Sequence, residues 1–130
     1  MTGKESIRTN PEAIKVAIIE DQRKVREGLC MLIGGTEGYR CTGSFASMEE
    51  ALPKIGYEVP DVVLVDIGLP GMSGIDGIRY LKERYADLAV LMLTVYDDDR
   101  RVFEALCAGA SGYLLKKTPP ARLLDRKSVV

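Results

Sequence analysis

The chain has 130 residues, the length of one ordinary domain, and 46% of them are hydrophobic, which excludes a disordered chain. Its 18 basic and 19 acidic residues leave a net charge of −1, so the basic excess typical of a nucleic-acid-binding domain is missing. The sequence contains no histidine, which excludes Ser-His and Cys-His hydrolases and histidine-ligated metal sites. Any chemistry must therefore depend on carboxylates, lysine, hydroxyl groups or the backbone.

Cysteine spacing and hydropathy predict the compartment. Cys30, Cys41 and Cys107 are scattered without a Cys-x-x-Cys pair, which is typical of neither a disulfide framework nor a zinc site. We interpret them as three reduced, mostly buried thiols. No apolar run approaches the roughly 20 residues of a membrane-spanning helix, and the N-terminus lacks a signal-peptide pattern. These features predict a soluble cytoplasmic protein that does not associate with a membrane.

The predicted elements alternate between strand and helix after a polar, flexible leader over residues 1–13. In chain order they are a strand over 15–20, a helix that stops at Gly34 and Gly35, a weaker strand over 39–46, a helix from Ser47, a strand over 61–66, a helix that continues to Tyr85, a strand over 89–94, a helix from the acidic run 97–99, a strand over 112–115 and a last helix from Thr118. Short continuous apolar strands that alternate with helices predict the α/β class. We expect a doubly wound, five-stranded parallel sheet with helices on both faces.

Two local signals refine the second helix. Ser47 and Glu50 have the spacing of a capping box, which predicts a helix start at this point. Pro53 follows only six residues after that cap and should distort the helix, because proline lacks the backbone N–H that an interior position needs. We therefore expect this helix to be short.

Polar residues follow the predicted strands. They are Glu20 and Asp21 after the first strand, Asp66 at the end of the third, Thr94 at the end of the fourth and Lys116 after the fifth. Ligands of open α/β sheets bind outside the carboxyl ends of the strands, so these side chains are expected to share one pocket. Three carboxylates would repel one another there without a cation, and an all-oxygen donor set favours Mg²⁺. A carboxylate beside Mg²⁺ can attack phosphorus, which predicts phosphoryl transfer assisted by the lysine and the threonine hydroxyl.

Four segments resemble a known family. They are Ile18-Ile19-Glu20-Asp21-Gln22, the run Val-Asp-Ile-Gly-Leu-Pro-Gly-Met-Ser-Gly over 65–74, Leu93-Thr94 and Tyr113-Leu114-Leu115-Lys116. In this order, at these strand ends, they resemble the receiver domain of bacterial two-component response regulators, and most of all the NarL/LuxR-type subfamily. The resemblance covers residues 14–125 and implies a flavodoxin-like, CheY-like sheet with strand order 2-1-3-4-5.

The resemblance implies a phosphoryl-acceptor site that contains a metal ion. Asp66 would accept the phosphoryl group from a sensor histidine kinase. Asp21, Asp66 and the main-chain carbonyl of Gly68 would bind Mg²⁺ directly, and Glu20 would act through a metal-bound water. The domain would not be an enzyme beyond its own phosphorylation and dephosphorylation.

The resemblance also implies a switch and an output. Lys116 would pair with the phosphoryl group, Thr94 would move toward it, and Tyr113 would be the aromatic residue that turns inward. Phosphorylation could drive homodimerisation. Control of transcription would require a DNA-binding output domain that these 130 residues do not contain. We therefore expect a receiver taken from a longer transcription factor, with residues 126–130 truncated or foreign.

Three other functions are weighed against this one. A phosphatase of the haloacid-dehalogenase type also uses a strand-end aspartate with Mg²⁺, but it needs a second acid two residues later, where this chain has Gly68. A flavodoxin-like FMN-binding protein would place a phosphate after the first strand, where Glu20 and Asp21 would repel it. A non-phosphorylated pseudo-receiver that only docks a partner is disfavoured by the complete set of five polar residues.

Overall fold

A computed structural model of the chain describes residues 13–66, 68–69, 74–94, 104 and 106–115. Strands and helices alternate in the predicted order: β1 (Ile14–Ile19), α1 (Arg23–Gly34), β2 (Tyr39–Phe45), α2 (Met48–Ile55), β3 (Val62–Asp66), α3 (Gly74–Arg84), β4 (Ala89–Thr94) and β5 (Gly112–Leu115). Glu104 and residues 106–108 are helical as well. The predicted helix starts at 97–99 and at Thr118 lie outside the described residues, as do most of the predicted leader and residues 126–130.

The five strands form one sheet in the order β2-β1-β3-β4-β5, and every neighbouring pair is parallel. This result confirms the predicted fold class and strand order. The register between β1 and β2 shifts once, because Val16 pairs with Cys41 and Ala17 pairs with Gly43. Thr42 is therefore an extra residue on β2, which is a β-bulge.

The two faces of the sheet carry separate apolar clusters, because successive strand residues point to opposite sides. The α2–α3 face is the cluster of Ala17, Ile19, Met48, Ala51, Ile55, Val63, Val65, Leu69, Ile78, Leu81, Leu88, Val90, Met92, Ala108 and Ala110. The α1 face is the cluster of Val16, Ile18, Leu29, Ile33, Leu64 and Leu93. Both faces are therefore covered by helices, as a parallel sheet requires.

The ends of α1 and α2 follow from their sequences. The Ser47 hydroxyl accepts a hydrogen bond from the Glu50 N–H (3.1 Å), and the Glu50 carboxylate accepts one from the Ala46 N–H (2.6 Å). Pro53 lies inside α2, which ends at Ile55 after eight residues, so the short helix is confirmed. At the end of α1, the Gly35 N–H donates to the Met31 carbonyl, which is the predicted glycine stop.

The burial predicted for the thiols is wrong. Cys30 and Cys41 are only partly buried, and Cys107 is exposed. Cys41 lies on β2, which is an edge strand with no strand beyond it, so its side chain stays partly open to solvent. None of the helices in the described ranges is both long and apolar enough to cross a membrane.

Candidate functional site

Three carboxylates converge at the carboxyl edge of the sheet. Glu20, Asp21 and Asp66 each place one carboxylate oxygen within 4.8 Å of the other two. The sheet register explains this arrangement, because Ile19 at the end of β1 pairs with Val65 on the central strand β3. The residues that follow this pair, Glu20 and Asp66, therefore lie side by side at the end of the two strands. Residues 46 positions apart in the chain thus share one site.

Glu20 is the most buried of the three, with none of its surface exposed. Its backbone N–H donates to the Phe45 carbonyl (2.9 Å), which extends the pairing of β1 with β2 by one residue. Its carboxylate accepts a hydrogen bond from the Gln22 N–H (2.8 Å), at the residue that caps the start of α1. A buried carboxylate is costly unless hydrogen bonds compensate it, and the backbone supplies such a bond here.

Asp66 is 5% exposed and ends β3. Its Oδ1 accepts a hydrogen bond from the Gly68 N–H (2.9 Å), which fixes the direction of the carboxylate relative to the loop that follows. Leu69 holds this loop against the sheet, because its side chain is buried in the α2–α3 face. A Cβ atom at Gly68 would lie 3.7 Å from Asp66 Oδ1, an ordinary contact distance, so the loop does not require glycine there for space.

Asp21 is exposed, and its backbone is held by a residue that the sequence interpretation missed. The Arg26 guanidinium donates to the Glu20 carbonyl (2.9 Å) and to the Asp21 carbonyl (3.5 Å). A signal for this contact exists, because Arg23, Lys24 and Arg26 lie near the amino end of α1, where the helix dipole disfavours cations. Arg26 orients the two acidic residues through their backbone and leaves their carboxylates facing the site.

The donor set of this acidic cluster fits Mg²⁺. Its three side chains offer only carboxylate oxygens, which are the ligands that this ion prefers. Three negative charges within 4.8 Å repel one another, and a divalent cation would offset that repulsion. The exposed Asp21 places one of the three carboxylates at the surface, so an ion can enter from solvent.

The structure places one of the remaining predicted residues, Thr94, near the same edge. Asp66 pairs with Leu93, so Thr94 ends β4 one position beyond it, and Thr94 in turn pairs with Leu115. The Thr94 side chain and Lys116 lie outside the described residues. Tyr113 is on β5, the other edge strand, and 41% of its surface is exposed.

Comparisons with known proteins agree on one family. The sequence model described as the response regulator receiver domain matches residues 16–127. The transcriptional regulatory protein DegU of Brevibacillus brevis is 34% identical over 121 residues, which are 93% of this chain and 51% of that protein. The chain thus spans about half the length of the curated relatives it matches.

Solved structures show the same likeness in three dimensions. A LuxR-family two-component response regulator from an Aurantimonas species matches with a TM-score of 0.80 and 31% identity, covering 86% of this chain and 80% of that one. The signal receiver domain of the response regulator NarL from Mycobacterium tuberculosis matches with a TM-score of 0.83 and 27% identity, covering 90% of this chain and 94% of that one.

Proposed function

Because the chain belongs to the response regulator receiver domain family, we propose that Asp66 is its phosphoryl acceptor and that a sensor histidine kinase is the donor. The supporting observation is the convergence of Glu20, Asp21 and Asp66 at the carboxyl edge of the sheet. Glu20 is fully buried and therefore inaccessible to a donor, whereas Asp66 keeps some exposure and is oriented by the Gly68 N–H. Asp21 is exposed and suits a metal-binding role better.

The proposed transfer uses the Asp66 carboxylate as the nucleophile. The bond between phosphorus and an imidazole nitrogen of the kinase breaks, and a bond between phosphorus and an Asp66 oxygen forms. The imidazole keeps the electron pair and takes up a proton from solvent. The lack of histidine in this chain is consistent with a donor histidine on the partner protein. Hydrolysis of the resulting acyl phosphate would return Asp66 to its starting state.

Mg²⁺ is the proposed cofactor. Asp21, Asp66 and the Gly68 carbonyl would hold it directly, and Glu20 would hold it through a water molecule. When bound, the ion supplies positive charge that offsets the carboxylates and the incoming phosphoryl oxygens. Arg26 contributes by holding the Glu20 and Asp21 backbone, which keeps two of the three carboxylates in position before any ion arrives.

In the proposed switch, residues on β4 and β5 and directly after β5 respond to the phosphoryl group on Asp66. Lys116 would pair with a phosphoryl oxygen, and the Thr94 hydroxyl would move toward another. Tyr113 is partly exposed at the edge of the sheet and would turn inward after that movement. This change on β4 and β5 would alter the surface of the domain and could favour a homodimer.

The proposed output is transcription control in the cytoplasm. The relative DegU is a transcriptional regulatory protein about twice as long as the segment it shares with this chain. We place the receiver domain at residues 14–125 and assign DNA binding to an output domain outside the 130 residues. The net charge of −1 supports this division, since a DNA-binding surface needs basic residues.

Phosphorylation of Asp66 can be tested with a small phosphodonor. Incubation with acetyl phosphate and Mg²⁺ should add one phosphoryl group to the intact mass of the protein. The variant Asp66→Asn should show no adduct, because an amide is too weak a nucleophile. Asp87→Asn is the matched control, since Asp87 is exposed in the turn between α3 and β4, at the opposite edge of the sheet, and should leave the adduct unchanged.

The same assay separates the metal role from the acceptor role. Removal of Mg²⁺ with a chelator should abolish the adduct, and Asp21→Asn should raise the Mg²⁺ concentration needed for half-maximal phosphorylation by tenfold or more, about 1.4 kcal/mol. An equal adduct in Asp66→Asn would refute the acceptor assignment. No adduct in the wild-type protein, with the fold intact by circular dichroism, would instead indicate a pseudo-receiver.

A further inference from the structure

Two of the cysteines lie in contact on the side of the molecule covered by α1. The sulfur atoms of Cys30 on α1 and Cys41 on β2 are 2.9 Å apart, and both thiols are free and partly exposed. We propose that Cys30 and Cys41 form a reversible dithiol–disulfide site that hydroperoxides oxidise. This site is separate from the acidic cluster and does not depend on phosphorylation.

The fold, and not sequence spacing, brings the two thiols together. Cys30 follows Leu29, whose side chain is buried in the α1 face, and Cys41 packs against the same cluster from β2. The chain reverses between them over residues 35–38, where Gly38 adopts a positive φ of 90° that glycine accepts without strain. Because the helix and the strand are both held by the sheet core, the two sulfur atoms are already in contact before any reaction.

An oxidant can reach the pair. A cleft of about 780 Å³ is lined by both thiols and by the turn between α1 and β2, including Gly34, Thr36 and Arg40. The cleft is much larger than a hydroperoxide, so access does not require local unfolding. Cys107 lines no part of this cleft and serves as an internal reference thiol.

The surroundings of Cys41 assign the two sulfur atoms different roles. Burial, and then the contact with Cys30, raise the pKa of Cys41 to about 12. Cys41 therefore keeps its proton at neutral pH, with the Gly43 carbonyl (3.6 Å) as a further acceptor. Because the Cys41 thiol donates to the Gly43 carbonyl, we assign Cys30 as the sulfur that attacks the oxidant and Cys41 as the sulfur that resolves the product.

The reaction balances with one hydroperoxide per pair. The Cys30 thiol gives up its proton and attacks the terminal peroxide oxygen, the O–O bond breaks, and the leaving hydroxide or alkoxide takes up a proton, so that a sulfenic acid and one molecule of water or alcohol result. Cys41 sulfur then attacks the sulfenic sulfur, the S–S bond forms, and the S–O bond breaks. The departing hydroxide takes the Cys41 proton as water. Two thiols are oxidised by two electrons, the peroxide is reduced, and an external dithiol can reverse the change.

Peptide mapping of the wild-type chain tests the pairing directly. The fully reduced protein is treated with hydrogen peroxide, its remaining thiols are alkylated, and it is digested with trypsin. Cleavage after Arg26, Arg40 and Lys54 places the two cysteines in separate peptides, 27–40 and 41–54. We expect these peptides to appear as one linked species, lighter by two hydrogen atoms than their sum, and to separate again after dithiothreitol. Cys107 should remain fully alkylated.

Variants identify the partners and their order. Cys107→Ser should form the same linked species as the wild-type protein. Cys41→Ser should instead accumulate a sulfenic acid on Cys30, which a dimedone probe detects, whereas Cys30→Ser should react at least tenfold more slowly. A linkage through Cys107, oxidation of Cys30 or Cys41 to sulfinic acid without a linkage, or persistence of all three free thiols in the wild-type protein would overturn the proposal.

Discussion

On the α2–α3 face of the sheet, Met48 is fully buried and presses against Gly77 of α3, where a Cβ atom would collide with the Met48 side chain. On α1, on the other side of the sheet, Gly28 is exposed, and a Cβ atom there would meet nothing within 4 Å. The thiol pair of Cys30 and Cys41 lies on this second side, beside a cleft of about 780 Å³. The α2–α3 face thus holds α3 in close contact with Met48, whereas the outer side of α1 and the neighbouring thiol pair remain open to solvent.

This difference in burial means that one side of the sheet mainly stabilises the fold, whereas the other side keeps reactive thiols accessible. Burial of whole side chains such as Ile78 and Leu81 contributes most of the hydrophobic free energy available to a sheet face. Partial exposure on the α1 side contributes less, but it leaves thiol groups within reach of solvent. The acidic cluster lies at the edge of the sheet where the two faces meet. The packed side chains below this edge can hold Asp66 in position, while the cluster itself stays accessible to solvent.

The largest expected effect is a truncation on the α2–α3 face. Leu81 of α3 is fully buried, so Leu81→Ala removes buried surface and leaves a cavity. The free energy of unfolding should fall by about 2–5 kcal/mol in urea titrations. The matched change is Leu32→Ala on α1, whose side chain is only partly buried, and it should cost less than half as much. Equal losses would contradict the expected dependence of the loss on the burial of these two leucines.

A pair of glycine substitutions should have opposite signs. Gly77→Ala gains helix propensity but places its Cβ against Met48, whose fully buried side chain must shift to admit it, so the protein should lose about 1 kcal/mol. Gly28→Ala gains the same propensity in open space and should stabilise the protein by about 0.5–1 kcal/mol. Thermal unfolding followed by circular dichroism measures both changes.

A second variant identifies the cause of the Gly77 effect. Met48→Ala opens space beside α3, so adding Gly77→Ala to it should cost less than in the wild-type background. An unchanged cost in the double variant would assign the effect to the helix backbone and not to the contact with Met48.

The last expected effect is absent at neutral pH and appears only in alkali, as a loss of stability from the α1 side. The pKa of Cys41 is raised from 9.0 to about 12 in the folded protein, mainly by burial. The folded state thus keeps a proton that the unfolded state releases above pH 9. The stabilisation is complete below pH 9 and is lost as the pH rises toward 12. The free energy of unfolding should fall less steeply with pH in Cys41→Ser than in the wild-type protein, whereas Cys107→Ser should leave the slope unchanged.

Local sequence patterns were sufficient to predict the strands and helices and most of the architecture. The capping box at Ser47, the proline at position 53 and the strand pattern at 61–66 each act over a few residues, and the structure has a helix or strand at each of these places. The acidic residues could be identified because parallel strands bring their carboxyl ends to one edge of the sheet. Residues that follow different strands are therefore predicted to lie close together.

Contacts between distant side chains needed the folded chain. The pairing of Cys30 with Cys41 depends on the packing of α1 against an edge strand, and no short-range pattern encodes that geometry. The contact of Arg26 with two backbone carbonyls likewise depends on how α1 leaves the sheet. The burial predicted for the thiols failed for the same reason, since a cysteine's exposure is set by which elements cover it.

The sequence by itself determined the alternation of strands and helices and the acidic residues at the strand ends, because hydrophobic periodicity and capping are local properties of the chain. The tertiary structure decided which carboxylate is fully buried, which glycine is pressed against a neighbour and which two thiols touch. Those outcomes depend on register and on the packing of helices against the sheet, and both are set only when residues far apart in the chain come together.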